Sequence, residues 1–179
     1  HALHDHHLPY GHDQRRYSLE ANGNAEHLEW IIANPAAMHG FSDAAAHLRN
    51  MAFYNVPLRM LKRVRDAQRA GRPFMSVEDA VRKLTSDIAE FHRIDAGRLE
   101  TGARADLVVI DPERLDDTVE EIHEEPMPEF TGLNRLVRRN DDTVRAVLVS
   151  GKVAWKGGAP ADDLGTSRHY GRVLALGSA

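Results

Sequence analysis

An α/β fold is predicted for this chain, on three observations. Segments 57–70 and 77–91 repeat apolar residues at helical spacing, and ADLVVID at 105–111 is a continuous apolar run bounded by charge and by Pro112. Residues 143–155 hold two β-branched runs joined by Ser150-Gly151, the pattern of a hairpin.

The elements follow in chain order. Residues 1–24 are polar and rich in His, Gly and Asn, and read as loop. AEHLEWII at 25–32 forms a short helix burying Leu28, Ile31 and Ile32, stopped by Asn34-Pro35 because the residue before proline is pushed out of the helical region. Met38-His39-Gly40-Phe41-Ser42-Asp43 is a short apolar stretch running into a small polar residue and an acid, the way a strand ends at a functional face. Pro57 opens the next helix, Leu58, Leu61 and Val64 form its apolar stripe, and Gly71 stops it after Ala70. Its basic residues from Arg59 to Arg72 form the solvated face. Ser76-Val77-Glu78-Asp79 resembles a capping box and starts a helix over 77–91, with Val77, Ala80, Val81, Leu84, Ile88 and Phe91 on one buried face.

Beyond Gly97 the character changes. The run at 105–111 reads as a buried strand, 112–142 as an acidic connection with His123–Pro128 in loop, and 133–139 as a short helix or strand. Strands at 143–149 and 152–155 make the hairpin, closed by Gly157-Gly158, and the Gly-, Ser- and Asp-rich tail from Ala159 is expected to fray. The division expected is a loop-rich segment 1–37, a unit 38–96, a second unit 97–160 and a flexible tail 161–179.

Composition excludes several classes of function. The formal charge of -4 gives no electrostatic footprint for nucleic acid, and no apolar run reaches the 18 or so residues of a membrane span. The absence of cysteine removes disulfides and thiolate metal sites together. Cytoplasmic residence is the expectation. The chain opens at His1 with no helical or strand period in its first residues, which reads as the middle of something longer.

One segment carries chemistry: His39-Gly40-Phe41-Ser42-Asp43-Ala44-Ala45-Ala46-His47-Leu48. An acid placed straight after a short strand could ligate a metal and accept the proton of a water that the metal has made acidic. The other reading of Asp43 is a turn cap, a common role of Asp. His1, His4, His6, His7 and His12 are dense enough to bind a transition metal, yet no β-branched run precedes them, and a surface loop is the reading preferred.

GFSDAAAHL, then SVEDAVRKLTSDIAEFHRIDAGRLETGARADLVVIDPERL, then VRAVLVSGKVAWKGGAP, resembles the ending of the amidohydrolase superfamily, in particular its N-acyl-D-amino-acid deacylase branch, the D-aminoacylases. The resemblance covers about residues 38 to 160. It implies the last strand and helices of a metal-dependent (β/α)8 barrel over 38–96 and part of a small β-sandwich over 97–160. It implies zinc as cofactor and a metal-activated water that attacks an amide carbonyl of a small N-acylated amino acid. Asp43 would be the acid at the end of the eighth strand, both metal ligand and proton carrier, and His47 would contact substrate.

The family's remaining ligands are a His-x-His pair, a bridging group and two further histidines on earlier strands, and none fits before Met38. A catalytic zinc needs three protein ligands, so the isolated chain is expected to be inactive. A complete barrel also takes about 250 residues, more than the 179 here. The alternative is a non-catalytic module that associates with itself. Under either reading exposed apolar faces call for a covering partner, a second copy or the missing N-terminal part.

Overall fold

The computed structural model describes residues 23–39, 52–127 and 132–174. Helices come first and strands second, so the chain mixes helix and sheet as expected but segregates them along its length.

Helix α1 spans Ala25–Ala33, and the Asn24 side chain caps it by accepting from the His27 amide at 3.0 Å. Helix α2 spans Val56–Arg69 with Pro57 in its first turn. Helix α3 spans Val77–Leu84, and the Ser76 hydroxyl accepts from the Asp79 amide at 3.0 Å while donating to its carboxylate at 2.8 Å. Ser76 is thus a side-chain N-cap held by Asp79, without the return bond to its own amide that a full capping box makes.

The single helix expected over 77–91 is broken. Thr85 leaves helical geometry at φ -129°, ψ -88°, and a short helix α4, Ser86–Phe91, follows it. Two local causes are visible. The Thr85 hydroxyl donates to the Val81 carbonyl at 2.7 Å, which competes with the helix ladder. Gly97 also crosses so close that a Cβ there would stand 2.7 Å from the Thr85 carbonyl carbon. Two residues expected on the buried face are exposed, Val81 on α3 at 45% and Phe91 on α4, beyond the break, at 68%.

The helical core gathers Ile32 from α1, Leu58, Met60, Leu61 and Val64 from α2, Ala80 from α3, and Leu115 and Val119 from the 112–120 segment. Val64 is fully buried at its centre. Truncating a buried methionine such as Met60 to Ala costs about 2–5 kcal/mol, because the cavity left behind relaxes only in part.

The basic face of α2 is less wet than its pattern suggests. Lys62 bonds to Asp66 at 2.5 Å and Asp117 at 2.8 Å, Arg59 to Glu120 at 2.6 Å, and Arg69 to Glu113 at 3.0 Å. Burial alone would lower the Lys62 ammonium, but the hydrogen bonds from Asp117 and Asp66 outweigh it and raise its pKa. These pairs fasten α2 to the 112–120 segment, although each exposed pair is worth at most about 1 kcal/mol.

Strand β1 is Leu107–Ile110, β4 is Val144–Val149, β5 is Lys152–Lys156 and β6 is Ala159–Pro160; they form an antiparallel sheet in the order β1-β4-β5-β6. Strand β1 falls within the apolar run, as expected, but it is not buried: Val108 is 57% and Val109 47% exposed. Consecutive strand residues point to opposite faces, so each face of the sheet shows an uncovered valine at β1. Ser150 (φ 51°) and Gly151 (φ 79°) turn β4 into β5 with both residues left-handed, the backbone of a type I′ hairpin. The Ser150 amide donates to Asp106 Oδ1 at 2.7 Å and the Gly151 amide to the Ala105 carbonyl at 2.8 Å, clasping the turn to the entrance of β1.

Two further expectations need correction. His123–Pro126, read as loop, is strand β2, paired antiparallel with β3, Asn134–Val137, which settles the helix-or-strand choice at 133–139. An ion pair between Glu125 and Arg139 fastens this ribbon and holds the carboxyl below its usual range. Ala159–Pro160, read as the start of the tail, is strand β6 paired with β5, and further on Tyr170 donates to Asp163 at 2.5 Å with Lys152 beside its ring.

Candidate functional site

The residues singled out for chemistry, Asp43 and His47, lie outside the described residues, as do His1, His4, His6, His7 and His12. The chain can be followed to the edges of that segment on both sides. On the entry side α1 ends at Asn34, whose extended backbone (φ -65°, ψ 122°) precedes Pro35 and whose Oδ1 accepts from the Ala36 amide at 2.9 Å. Met38 and His39, where a strand was expected to begin, have no regular structure.

His39 is half-buried, and its Nδ1 is enclosed without a hydrogen-bond partner among the described residues. Burial is the larger cause lowering its pKa, and the neighbouring Lys83 ammonium adds to it, so the imidazole is held neutral. Lys83 is 7% exposed and donates to the Asn34 carbonyl, tying α3 to the end of α1. Burial likewise lowers its pKa, against a smaller opposing pull from Asp87.

On the exit side the chain is pinned more firmly. Asn55 is buried just before α2, where its Nδ2 donates to the Val119 carbonyl at 2.8 Å and to Asn140 Oδ1 at 3.3 Å. The Tyr54 hydroxyl donates to the Arg138 carbonyl. Buried Thr143 bonds the Arg114 carbonyl at 2.7 Å in the same region. The segment holding Asp43 and His47 is thus bounded by two anchors, one on α3 and one on the strand-bearing half.

Among the described residues no three His, Asp or Glu side chains gather to hold a metal ion. The zinc implied by the resemblance has no ligand set among the described residues.

The amidohydrolase family model matches residues 4–154, most of the chain. This chain belongs to the amidohydrolase family. It is also 49% identical over 164 residues to a protein of Mycobacterium bovis and to proteins from two strains of Mycobacterium tuberculosis, all described as uncharacterized. The alignment takes in 89% of this chain but only 27% of each relative, so the amidohydrolase chain spans about a quarter of the length of the curated proteins it matches. No solved structure matches it. No described helix is long and apolar enough to cross a membrane.

Family membership fits the mixed helix-and-sheet architecture. The sequence reading missed the two anchors. Lys83 follows Ala80 by three residues, which places it on the buried stripe, and that spacing was the available signal. Nothing local marks Asn55, whose partners are 64 and 85 residues away.

Proposed function

We propose that this amidohydrolase chain is the portion of a metal-dependent barrel enzyme that carries its last acidic catalytic residue, Asp43, and that the enzyme hydrolyses the amide bond of small N-acyl-D-amino acids. The observation carrying this reading is the family match, which runs through position 43 and on across the helices and the sheet. In the proposed reaction Asp43 accepts a proton from the attacking water and returns it to the leaving nitrogen, general base and then general acid. His47 lines the substrate side. Zinc dependence belongs to the same reading, with Asp43 as one ligand and the others supplied by residues in the part of the relatives that this chain does not span. Residues 38–96 are assigned to the barrel and 97–160 to the accompanying sandwich, in a cytoplasmic protein.

The test compares the chain alone with the chain joined to the remainder of the relatives' length. Free amino acid released from N-acetyl-D-methionine is measured with and without added zinc. Zinc-dependent release from the joined protein alone supports the reading; no release from any N-acyl-D-amino acid by the joined protein defeats it.

A second reading draws on the exposed valines of β1, Val108 and Val109. A non-catalytic module would cover them by pairing with its own copy. Such a module would form a concentration-dependent dimer by sedimentation and show no hydrolysis with any added chain.

A further inference from the structure

A cavity of about 290 Å³ lies between the chain leaving α1 and the helix α3, with Pro35, Met38, Phe74 and Met75 among its apolar walls and Lys83 among its polar ones. A binding role for it draws on neither Asp43 nor His47 and is independent of the hydrolase reading.

The charges around it are unevenly satisfied. Arg82 holds Asp79 at 3.2 Å and Asp87 at 3.5 Å, so both acids on this wall share one guanidinium. Lys83 is 7% exposed, and its one hydrogen-bond acceptor among the described residues is the Asn34 carbonyl, with no carboxylate in ion-pair range. An ammonium has three N–H donors, and a buried charge ordinarily keeps a counter-charge or a full set of acceptors. The remaining acceptors must come from whatever occupies the cavity. Water could supply them, but water gains nothing from the apolar bed.

We propose that this cavity binds a small monocarboxylate with a short alkyl tail, its carboxylate accepting from Lys83 Nζ and its tail lying on Phe74, Met75 and Met38. The match is one of chemistry: one anionic head for one unpaired cation, and an apolar remainder for an apolar wall. A dianion would bring a second negative charge beside Asp79 and Asp87, between which Arg82 is already shared.

The chain has four lysines, Lys62, Lys83, Lys152 and Lys156, so reductive methylation followed by mass spectrometry reports each separately. Butyrate is the probe, with butanol and chloride as controls for the tail and for ionic strength. Butyrate should slow methylation of Lys83 saturably, leave Lys152 and Lys156 unchanged, and have no counterpart in either control. By calorimetry, Lys83→Met should weaken butyrate at least about tenfold, the usual loss for a charge-assisted hydrogen bond. Should Lys83→Met fail to fold, Ala37→Phe keeps the lysine and fills the cavity, and it too should lose butyrate while keeping its melting temperature. The proposal is overturned by equal slowing at all four lysines, by butanol or chloride acting as butyrate does, or by either variant binding butyrate like the wild type.

Discussion

His39 sits where burial and a lysine ammonium both oppose its protonation, and that has a consequence for stability. Its folded pKa lies below the ordinary 6.5, so between the two values the unfolded chain binds the proton more readily. The stability contributed by His39 is therefore complete above about pH 6.5 and is lost as pH falls through the lowered value. Urea midpoints measured at about pH 7.5 and about pH 5.5 should fall further for the wild type than for His39→Gln, and equal falls would show that the imidazole is not held neutral. Asn55 is the other residue whose role is specific, since its two donated bonds bridge the start of α2 to Val119 and Asn140. Asn55→Ala leaves the buried Val119 carbonyl without this donor and should cost about 1–3 kcal/mol in chemical denaturation.

Helix α3 ends where Thr85 and Gly97 meet, and the crossing allows no side chain at residue 97. Gly97→Ala forces a Cβ to within 2.7 Å of the Thr85 backbone at φ 79°, so a loss of about 2 kcal/mol or more is expected in the melting curve. The β4–β5 turn offers the opposite case. Ser150 holds φ 51° at a position where Asn is far better suited, while its amide bond to Asp106 is made by the backbone. Ser150→Asn should raise stability by about 0.5 kcal/mol or more, and an unchanged melting temperature would argue against a type I′ turn. Patterning made α1, α2 and the hairpin legible before any coordinates, because each carries its own stop signal: Asn34-Pro35, Gly71 and Ser150-Gly151. It failed at Thr85 because one of the two causes of the break, the close approach of Gly97, lies twelve residues on. It failed at His123–Pro126 because β2 owes its existence to pairing with β3 rather than to its own charged and proline-bearing sequence.

At the scale of the molecule, helices and sheet are joined through Leu115, Val119 and the ion pairs of α2, while β1 leaves an apolar valine open on each face of the sheet. The chain aligns with 27% of its relatives' length, and the proposed hydrolase takes its further metal ligands from the remainder of that length. The reading of Asp43 rests on its place after a short apolar run alone, because Asp43 and its neighbours from 40 to 51 lie outside the described residues. The most direct measurement is kcat for N-acyl-D-amino acid hydrolysis by the joined polypeptide, wild type against Asp43→Asn, with folding checked by circular dichroism. Loss of a proton-carrying carboxylate predicts a fall of about a hundredfold or more in kcat with the fold intact. A folded Asp43→Asn protein that turns over at the wild-type rate would contradict the account.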